Sequence, residues 1–429
     1  MKSTFKMAVL LTSLALASLV QAKVLPEVKP EREGLSSERL ERITDITQQY
    51  VDEGKLAGVV TMVARRGRIV HFEAVGNRGA DDTRPLTKDA LFRIYSMTKP
   101  ITAAAAMQLY EQGKFHLNDP VSKYLPELKG LKVLGADGEL VDSKREMTMQ
   151  QLLTHTAGFS YGFNPQGDPI DKLYQEANFF DAKDLDDFVT KVSKLPLKFQ
   201  PGDQWHYSIA VDITGAVVEK ISGQPFDEYL QEHIFTPLGM KDTFFSVPDD
   251  KLERFLPNHY IDPKTGKLTE LPDQNRSGLD RYRDVTLFSG GGGLVSTAMD
   301  YMRFAEAMRN GGELDGVRIL GPKTVNYMAT NHLPASISEG GNGEQPTLGG
   351  RLSGFGFGLG FGIVTDPAAG GVMGSVGEFN WGGAAGTVFW IDPVEELVVV
   401  GMIQLMGSPY PFRSDLKVAT YQALTESLE

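Results

Sequence analysis

Pro100 sets a firm boundary in this chain. Behind it, residues 101–110 form strong helix-building sequence with alanine at 103, 104, 105 and 106, and a proline is tolerated only in a first helical turn, where its missing N–H has no partner to lose. The residues just ahead of it, Arg93-Ile-Tyr-Ser-Met-Thr-Lys99, therefore stand at a helix N-terminus. Ser96 and Lys99 are three apart, so on a helix they share one face with β-carbons roughly 5 to 6 Å apart. A hydroxyl and an amine can then touch. The free N–H groups and positive dipole end favour a developing negative charge, and a buried lysine kept neutral could serve as base to the hydroxyl. The rest of the chain is expected to be arranged around this stretch.

The Ser-x-x-Lys spacing occurs twice more, at Ser3 to Lys6 and Ser414 to Lys417. By itself the tetrapeptide is equally an N-cap serine with a solvated lysine. Context separates the three: the first lies in a targeting segment and the second in a polar C-terminal tail, whereas only Ser96 precedes a long apolar helix.

Residues 1–22 open with Lys2 and Lys6, run apolar from Met7 to Val20 and end in Val20-Gln-Ala22, the pattern of a secretory leader. Its apolar run is shorter than the roughly 20 residues of a membrane span, and no later stretch qualifies, so an exported protein, periplasmic or secreted, is expected. The chain has no cysteine. That removes disulfides, a thiol nucleophile, thiolate metal ligands and a lipidated N-terminal cysteine, and leaves stability to the core. A formal net charge of −12, more negative still once Lys2 and Lys6 leave with the leader, argues against nucleic-acid or anionic-membrane partners. The seven histidines are scattered without a His-Glu-x-x-His, so neither a metal nor another cofactor is expected.

Along the chain, residues 58–76 read as a β-hairpin broken at Arg66-Gly67. From Ser96 to about residue 260 the pattern turns helical (147–153, 185–193, 212–222, 226–235) between Pro- and Gly-rich loops. Thr297 with Asp300 starts a further helix, which Gly311-Gly312 stops after Asn310. Residues 356–365, 387–391 and 396–405 read as strands with Asp392-Pro393 as the last hairpin turn, before a closing helix near 416–428. Strands at both ends of a helical middle imply an α/β lobe (about 30–95 and 285–429) and an inserted helical lobe (about 96–284), in one domain spanning 23–429.

Two further constellations carry chemistry. Trp205-His-Tyr-Ser-Ile209 lies directly before the helix that begins near Asp212, where Tyr207 could present its hydroxyl to a cleft. Asn380-Trp-Gly-Gly-Ala384 is read as leading into a strand, with paired glycines that let a ligand approach and a free N–H for an oxyanion.

In this order and spacing, the three constellations resemble the class C β-lactamase-like serine hydrolases, most closely their esterase branch, the family VIII carboxylesterases. The similarity covers most of residues 30–425 and includes Leu152-Leu-Thr-His-Thr-Ala-Gly-Phe159, Gly291 to Thr297 leading to Tyr301, and Trp381-Gly-Gly-Ala-Ala-Gly386. It implies an α/β (α+β) fold, an antiparallel sheet flanked by helices with an all-helical lobe, and a site in the cleft between lobes. It also implies that Ser96 is the nucleophile, that Lys99 and Tyr207 share its proton, and that the N–H groups of Ser96 and Ala384 form the oxyanion hole. Trp381, Gly382 and Gly383 stand where β-lactamases carry Lys-Thr-Gly, and Ile209 stands where they carry the asparagine of Tyr-x-Asn. Both departures weaken an antibiotic hydrolase and favour a small-molecule ester substrate.

Some residues imitate other sites. Lys264-Thr-Gly266 spells the missing triad but follows Asp262-Pro263 and reads as a hairpin turn. Gly158-Phe-Ser-Tyr-Gly162 fits a lipase elbow, yet it trails a helix into a loop instead of linking a strand to a helix. His155 reads as a structural hydrogen-bonder near the cleft, and residues 290–293 as a turn bordering it, since they lack the lysine and serine of a phosphate loop. The expected function is an acyl-serine esterase. The alternatives are an amide hydrolase of the same fold (a β-lactamase or D-amino-acid peptidase) and a catalytically silent binding protein, which the presence of Ser96, Lys99 and Tyr207 disfavours.

Overall fold

The computed structural model of the protein describes residues 25–135, 138–272, 281–338 and 354–429. The leader expected at residues 1–22 lies outside the described residues.

The two β-branched runs at 58–76 pair as β1 (Gly58–Arg65) and β2 (Arg68–Gly76). They turn at Arg66 and Gly67, both with positive φ (52° and 75°). After the short strands β3 (Phe92–Arg93) and β4 (Val295–Ser296), the chain returns to the sheet as β5 (Phe355–Phe357), β6 (Gly362–Val364), β7 (Phe379–Gly382), β8 (Val388–Asp392) and β9 (Leu397–Met402). The sheet is antiparallel, in the order β5-β6-β7-β8-β9-β1-β2, and β9 from the end of the chain pairs with β1 from its beginning, Val60 opposite Met402.

Alternation along the strands sorts side chains onto two covered faces. Val60, Met62 and Ala64 join one core with the central helices, while Val59 and Val63 join a second core with Leu40, Ile43 and Leu416. The second face is covered by α1 (Ser37–Asp52) and by the final helix, α6 (Phe412–Tyr421). Against the first face lies α5 (Ala298–Arg309), capped by Thr297 as its sequence implies, the Asp300 N–H donating to Thr297 Oγ1 at 3.1 Å. Behind α5 sits α2 (Thr98–Glu111), buried on nearly every side and packed on α4 (Ala210–Ser222). A short α3 (Met149–Leu153) with a complete Thr148/Gln151 capping box also leans on α4.

Three expectations change. Residues 356–365 are not one strand but the hairpin β5–β6, because Gly360 (φ +84°) turns the chain between them. The closing helix begins earlier and ends earlier than 416–428, so Ser414 and Lys417 lie on a packed helix and not in a polar tail. Residues 380–382 are the end of β7 itself, and Gly383 to Gly386 form the turn that follows it, the Gly386 N–H donating to Gly383 O at 3.0 Å. Lys264-Thr-Gly266 does form a turn, between the strands His259–Ile261 and Leu268–Glu270. No helix among the described residues is long and apolar enough to cross a membrane.

Candidate active site

Ser96 is held where two chain segments meet. β3 pairs with β4, the Ile94 N–H donates to Leu294 O at 3.1 Å, and then Tyr95 enters the left-handed region (φ +43°) and swings Ser96 into a single 3₁₀ turn ahead of α2. A non-glycine residue held there costs roughly 1 to 3 kcal/mol and persists only where the surroundings over-determine it. Here they do. The Asn258 amide donates to the Tyr95 hydroxyl at 2.6 Å, the Tyr301 hydroxyl donates to Met97 O at 2.9 Å, and the Leu294 N–H donates to Thr98 Oγ1 at 3.2 Å.

Lys99, fully buried, lies one turn on, as its spacing predicts. Its Nζ donates to Ser96 Oγ at 3.2 Å, to the Tyr161 hydroxyl at 3.0 Å and to Gly291 O at 2.6 Å. Those three acceptors satisfy all three hydrogens of an ammonium. From the other side the Tyr207 hydroxyl comes within 2.5 Å of Ser96 Oγ, and Lys99 Nζ sits 4.5 Å from the centre of the Tyr207 ring. Residues 111 positions apart in sequence thus converge on one hydroxyl.

Tyr161 and Asp212 complete the arrangement, and neither was singled out from sequence. The Tyr161 hydroxyl donates to Asp212 Oδ2 at 2.9 Å, and Asp212 Oδ1 accepts from the Gly291 N–H at 3.0 Å and from the Ser289 hydroxyl. Burial pushes the Asp212 carboxyl up while Lys99 pulls it back down. Burial also raises the Tyr161 phenol well above its ordinary value, and the Asp212 and Tyr207 charges add to that rise. Tyr161 stays a neutral relay between amine and carboxylate. The available signals were indirect: Tyr161 is inside the lipase-like Gly158 to Gly162 pattern, and Gly291 is in the glycine run read as bordering the site.

The Trp381 constellation docks against the Ser96 turn. A β-carbon on Gly383 would stand 2.5 Å from Ile94 O and 2.2 Å from Thr387 Oγ1, so only glycine lets β7 approach this closely. Ala384 follows, exposed, with an N–H that donates to no protein acceptor among the described residues. The Trp381 ring lies 5.6 Å from the Tyr207 ring and 5.2 Å from that of Phe357, and its buried Nε1 has no hydrogen-bond partner. A β-carbon on Gly382 would meet the guanidinium of Arg413, 2.6 Å from its Cζ. Ile209 does not line this cleft as expected from sequence. It is completely buried in the core at the start of α4, where the apolar surroundings that suit isoleucine also hide it.

Ser160 belongs to a different cluster. Fully buried, it donates to Asp171 Oδ1 at 2.5 Å and lies 3.2 Å from His206 Nε2, with Asp171 held by Lys198 at 2.9 Å. The hydroxyl proton points at a carboxylate, and the hydroxyl itself is buried away from any substrate. The His155 ring lies tilted against that of Tyr207 (4.9 Å between centres) and receives the Ser208 N–H at Nδ1 at 3.2 Å. Burial and the nearby Lys99 hold its pKa well below the usual value, which leaves it neutral.

Known proteins place this geometry. The family model described as Beta-lactamase matches residues 43–423. Protein Rv1367c of Mycobacterium tuberculosis (strain ATCC 25618 / H37Rv) is 36% identical over 364 residues, covering 83% of this chain and 88% of its own. Esterase EstB of Burkholderia gladioli is 32% identical over 370 residues, covering 82% and 86%. Among solved structures, EstCE1, a hydrolase with promiscuous acyltransferase activity, superposes with a TM-score of 0.75 at 26% identity, over 90% of this chain and 99% of that one. The chain belongs to the beta-lactamase family of serine hydrolases.

Proposed function

We propose that the protein is an esterase that hydrolyses small, neutral carboxylic esters through an acyl-Ser96 intermediate. The observation that carries this is the Ser96 hydroxyl placed within hydrogen-bond reach of both Lys99 (3.2 Å) and Tyr207 (2.5 Å). Tyr207, acting in its deprotonated form, takes the Ser96 proton as Oγ attacks the ester carbonyl, while Lys99 holds Oγ with one N–H and directs its other two at the Tyr161 hydroxyl and Gly291 O. The N–H groups of Ser96 and Ala384 receive the oxyanion, the first at the positive end of α2 and the second from the turn after β7. Tyr207 then returns the proton to the departing alcohol, and a water admitted by the same route releases the acid.

Trp381 supports an ester over a lactam. Its uncharged ring occupies the place of a family lysine suited to a substrate carboxylate, and it shares an aromatic wall with Tyr207 and Phe357. Esterase EstB, similar over most of its length, supports the same choice. A leader at residues 1–22 would export the enzyme, so its substrates are met outside the cytoplasm.

Labelling with a fluorophosphonate tests the assignment directly. Ser96→Ala should lose both labelling and turnover, while Ser160→Ala keeps most of each; covalent labelling retained in Ser96→Ala would move the nucleophile elsewhere.

A further inference from the structure

Arg413 has no role in the reaction described above. It is the second residue of α6, on the covered face of the sheet opposite α5, partly exposed, and no carboxylate among the described residues forms an ion pair with it. Instead, Nη2 donates to Gly383 O at 2.6 Å, and that carbonyl also accepts the Gly386 N–H at 3.0 Å. Room for the guanidinium exists because residue 382 is glycine. A β-carbon there would stand 2.6 to 2.8 Å from Cζ, Nη1 and Nη2, although the Gly382 backbone is not among those with positive φ. The glycine is therefore demanded by the arginine and not by its own conformation.

The carbonyl of Gly383 and the N–H of Ala384 are two ends of one rigid peptide group. A charge-assisted donor on the oxygen fixes the plane in which the N–H points and polarises it, making it a stronger donor in turn. We propose that Arg413 is a positioning residue of the oxyanion hole, which acts through the Gly383 carbonyl to aim and polarise the Ala384 N–H at the ester oxygen. This rests on the reading of Ala384 as an oxyanion donor to an acyl-Ser96. The guanidinium also lies close enough to Tyr207 for the phenolate to pull its pKa up, against a burial that lowers it to about 10, so one cation faces both the proton acceptor and the oxyanion peptide.

The role predicts a fault in strength and not in binding. Losing an oxyanion donor outright costs about 10² to 10³-fold in kcat; losing only its polarisation by Arg413→Met should cost about tenfold, with KM within about twofold of wild type. Arg413→Lys, whose ammonium can reach the same carbonyl, should recover part of that loss. Gly382→Ala, which displaces the guanidinium while leaving it charged, should reproduce the methionine variant and guards against a failure of Arg413→Met to fold.

The deciding measurement is isotope-edited infrared spectroscopy of the acyl-enzyme formed with a slowly released ester labelled at its carbonyl, with the site of acylation read by mass spectrometry. In wild type the carbonyl stretch should be lowered by the oxyanion donors. It should move to higher frequency in Arg413→Met and Gly382→Ala and lie between in Arg413→Lys. An acyl group on Ser96 with an unmoved stretch in the methionine and alanine variants would overturn the role of Arg413 alone. An acyl group found on a residue other than Ser96 would overturn the esterase reading together with this inference.

Discussion

In the proposed reaction Ser96 draws on neighbours that do not act separately. Lys99 touches the nucleophile, the Tyr161 relay and a backbone carbonyl at once, and Tyr207 touches the nucleophile from the opposite side. Removing a well-placed general base costs about 10² to 10⁴-fold in rate, so Lys99→Met and Tyr207→Phe should each lose activity in that range. Because each is useful only while the other is in place, the double variant should fall little further than the worse single one. Steady-state kcat for the four proteins on one nitrophenyl ester checks this; strictly additive losses, or a Tyr207→Phe enzyme with near-normal kcat, would reduce Tyr207 to a packing residue.

At the scale of elements, the site depends on how closely β7 approaches the Ser96 turn. Gly383→Ala forces a β-carbon into Ile94 O and Thr387 Oγ1, and Ile94 O, a backbone atom, cannot retreat without shifting the turn that carries Ser96. A displacement of about 1 Å at a reacting centre can cost 10²-fold, so kcat should drop by at least about tenfold while the thermal midpoint changes little. A large fall in the midpoint with kcat intact would show that the contact matters to stability only.

A pH effect is built into the sheet itself. On β2, His71 Nε2 lies 2.8 Å from Thr61 Oγ1, and burial, helped by Lys88, lowers its pKa from 6.5 to about 4. The folded protein thus keeps this ring neutral where the unfolded chain protonates it. Its contribution is complete above pH 6.5 and is lost as the pH falls from there to about 4. Discounted for partial exposure of the ring, that loss is about 2 kcal/mol. Between pH 7 and pH 4.5, His71→Gln should therefore lose less stability than wild type by about that amount in urea denaturation; equal losses would remove His71 from the account.

Specificity belongs to the whole molecule, because the segment ahead of α4 contributes Tyr207 and the sheet contributes Trp381 to one aromatic wall. Cephalosporins and D-Ala-D-Ala peptides present a carboxylate, and removing one side of a buried charge pair costs on the order of 2 to 5 kcal/mol, with each ~1.4 kcal/mol a factor of ten. Among the described residues, the guanidinium beside β7 is that of Arg413, which is engaged by Gly383 O, and Ile209, being buried, offers an ester no apolar surface. In the proposed reaction the preference then rests on Trp381, itself only 7% exposed, and the Tyr207 ring beside it. A short-chain nitrophenyl ester should show kcat/KM at least about a hundredfold above that of a cephalosporin at equal pH and salt; a cephalosporin constant equal to or above the ester's would promote lactam hydrolysis.

What the amino-acid order settled by itself was local. Pro100 and the alanines behind it start a helix, three residues put Ser96 and Lys99 on one face, Thr297 caps the next helix, and Arg66-Gly67 turns the first hairpin, each through contacts within a few positions. Resemblance in the order of the motifs added the family and, with it, Tyr207 and Trp381. Tertiary structure alone decided which residues meet at a distance. It joined β9 to β1, brought Tyr161, Asp212 and Gly291 O to Lys99, hid Ile209, and delivered Arg413 from the last helix to a carbonyl thirty residues upstream. No periodicity announces such pairs, since a hydrogen bond across hundreds of residues depends on the packing of every element between them, whereas a helical turn depends only on its own few residues.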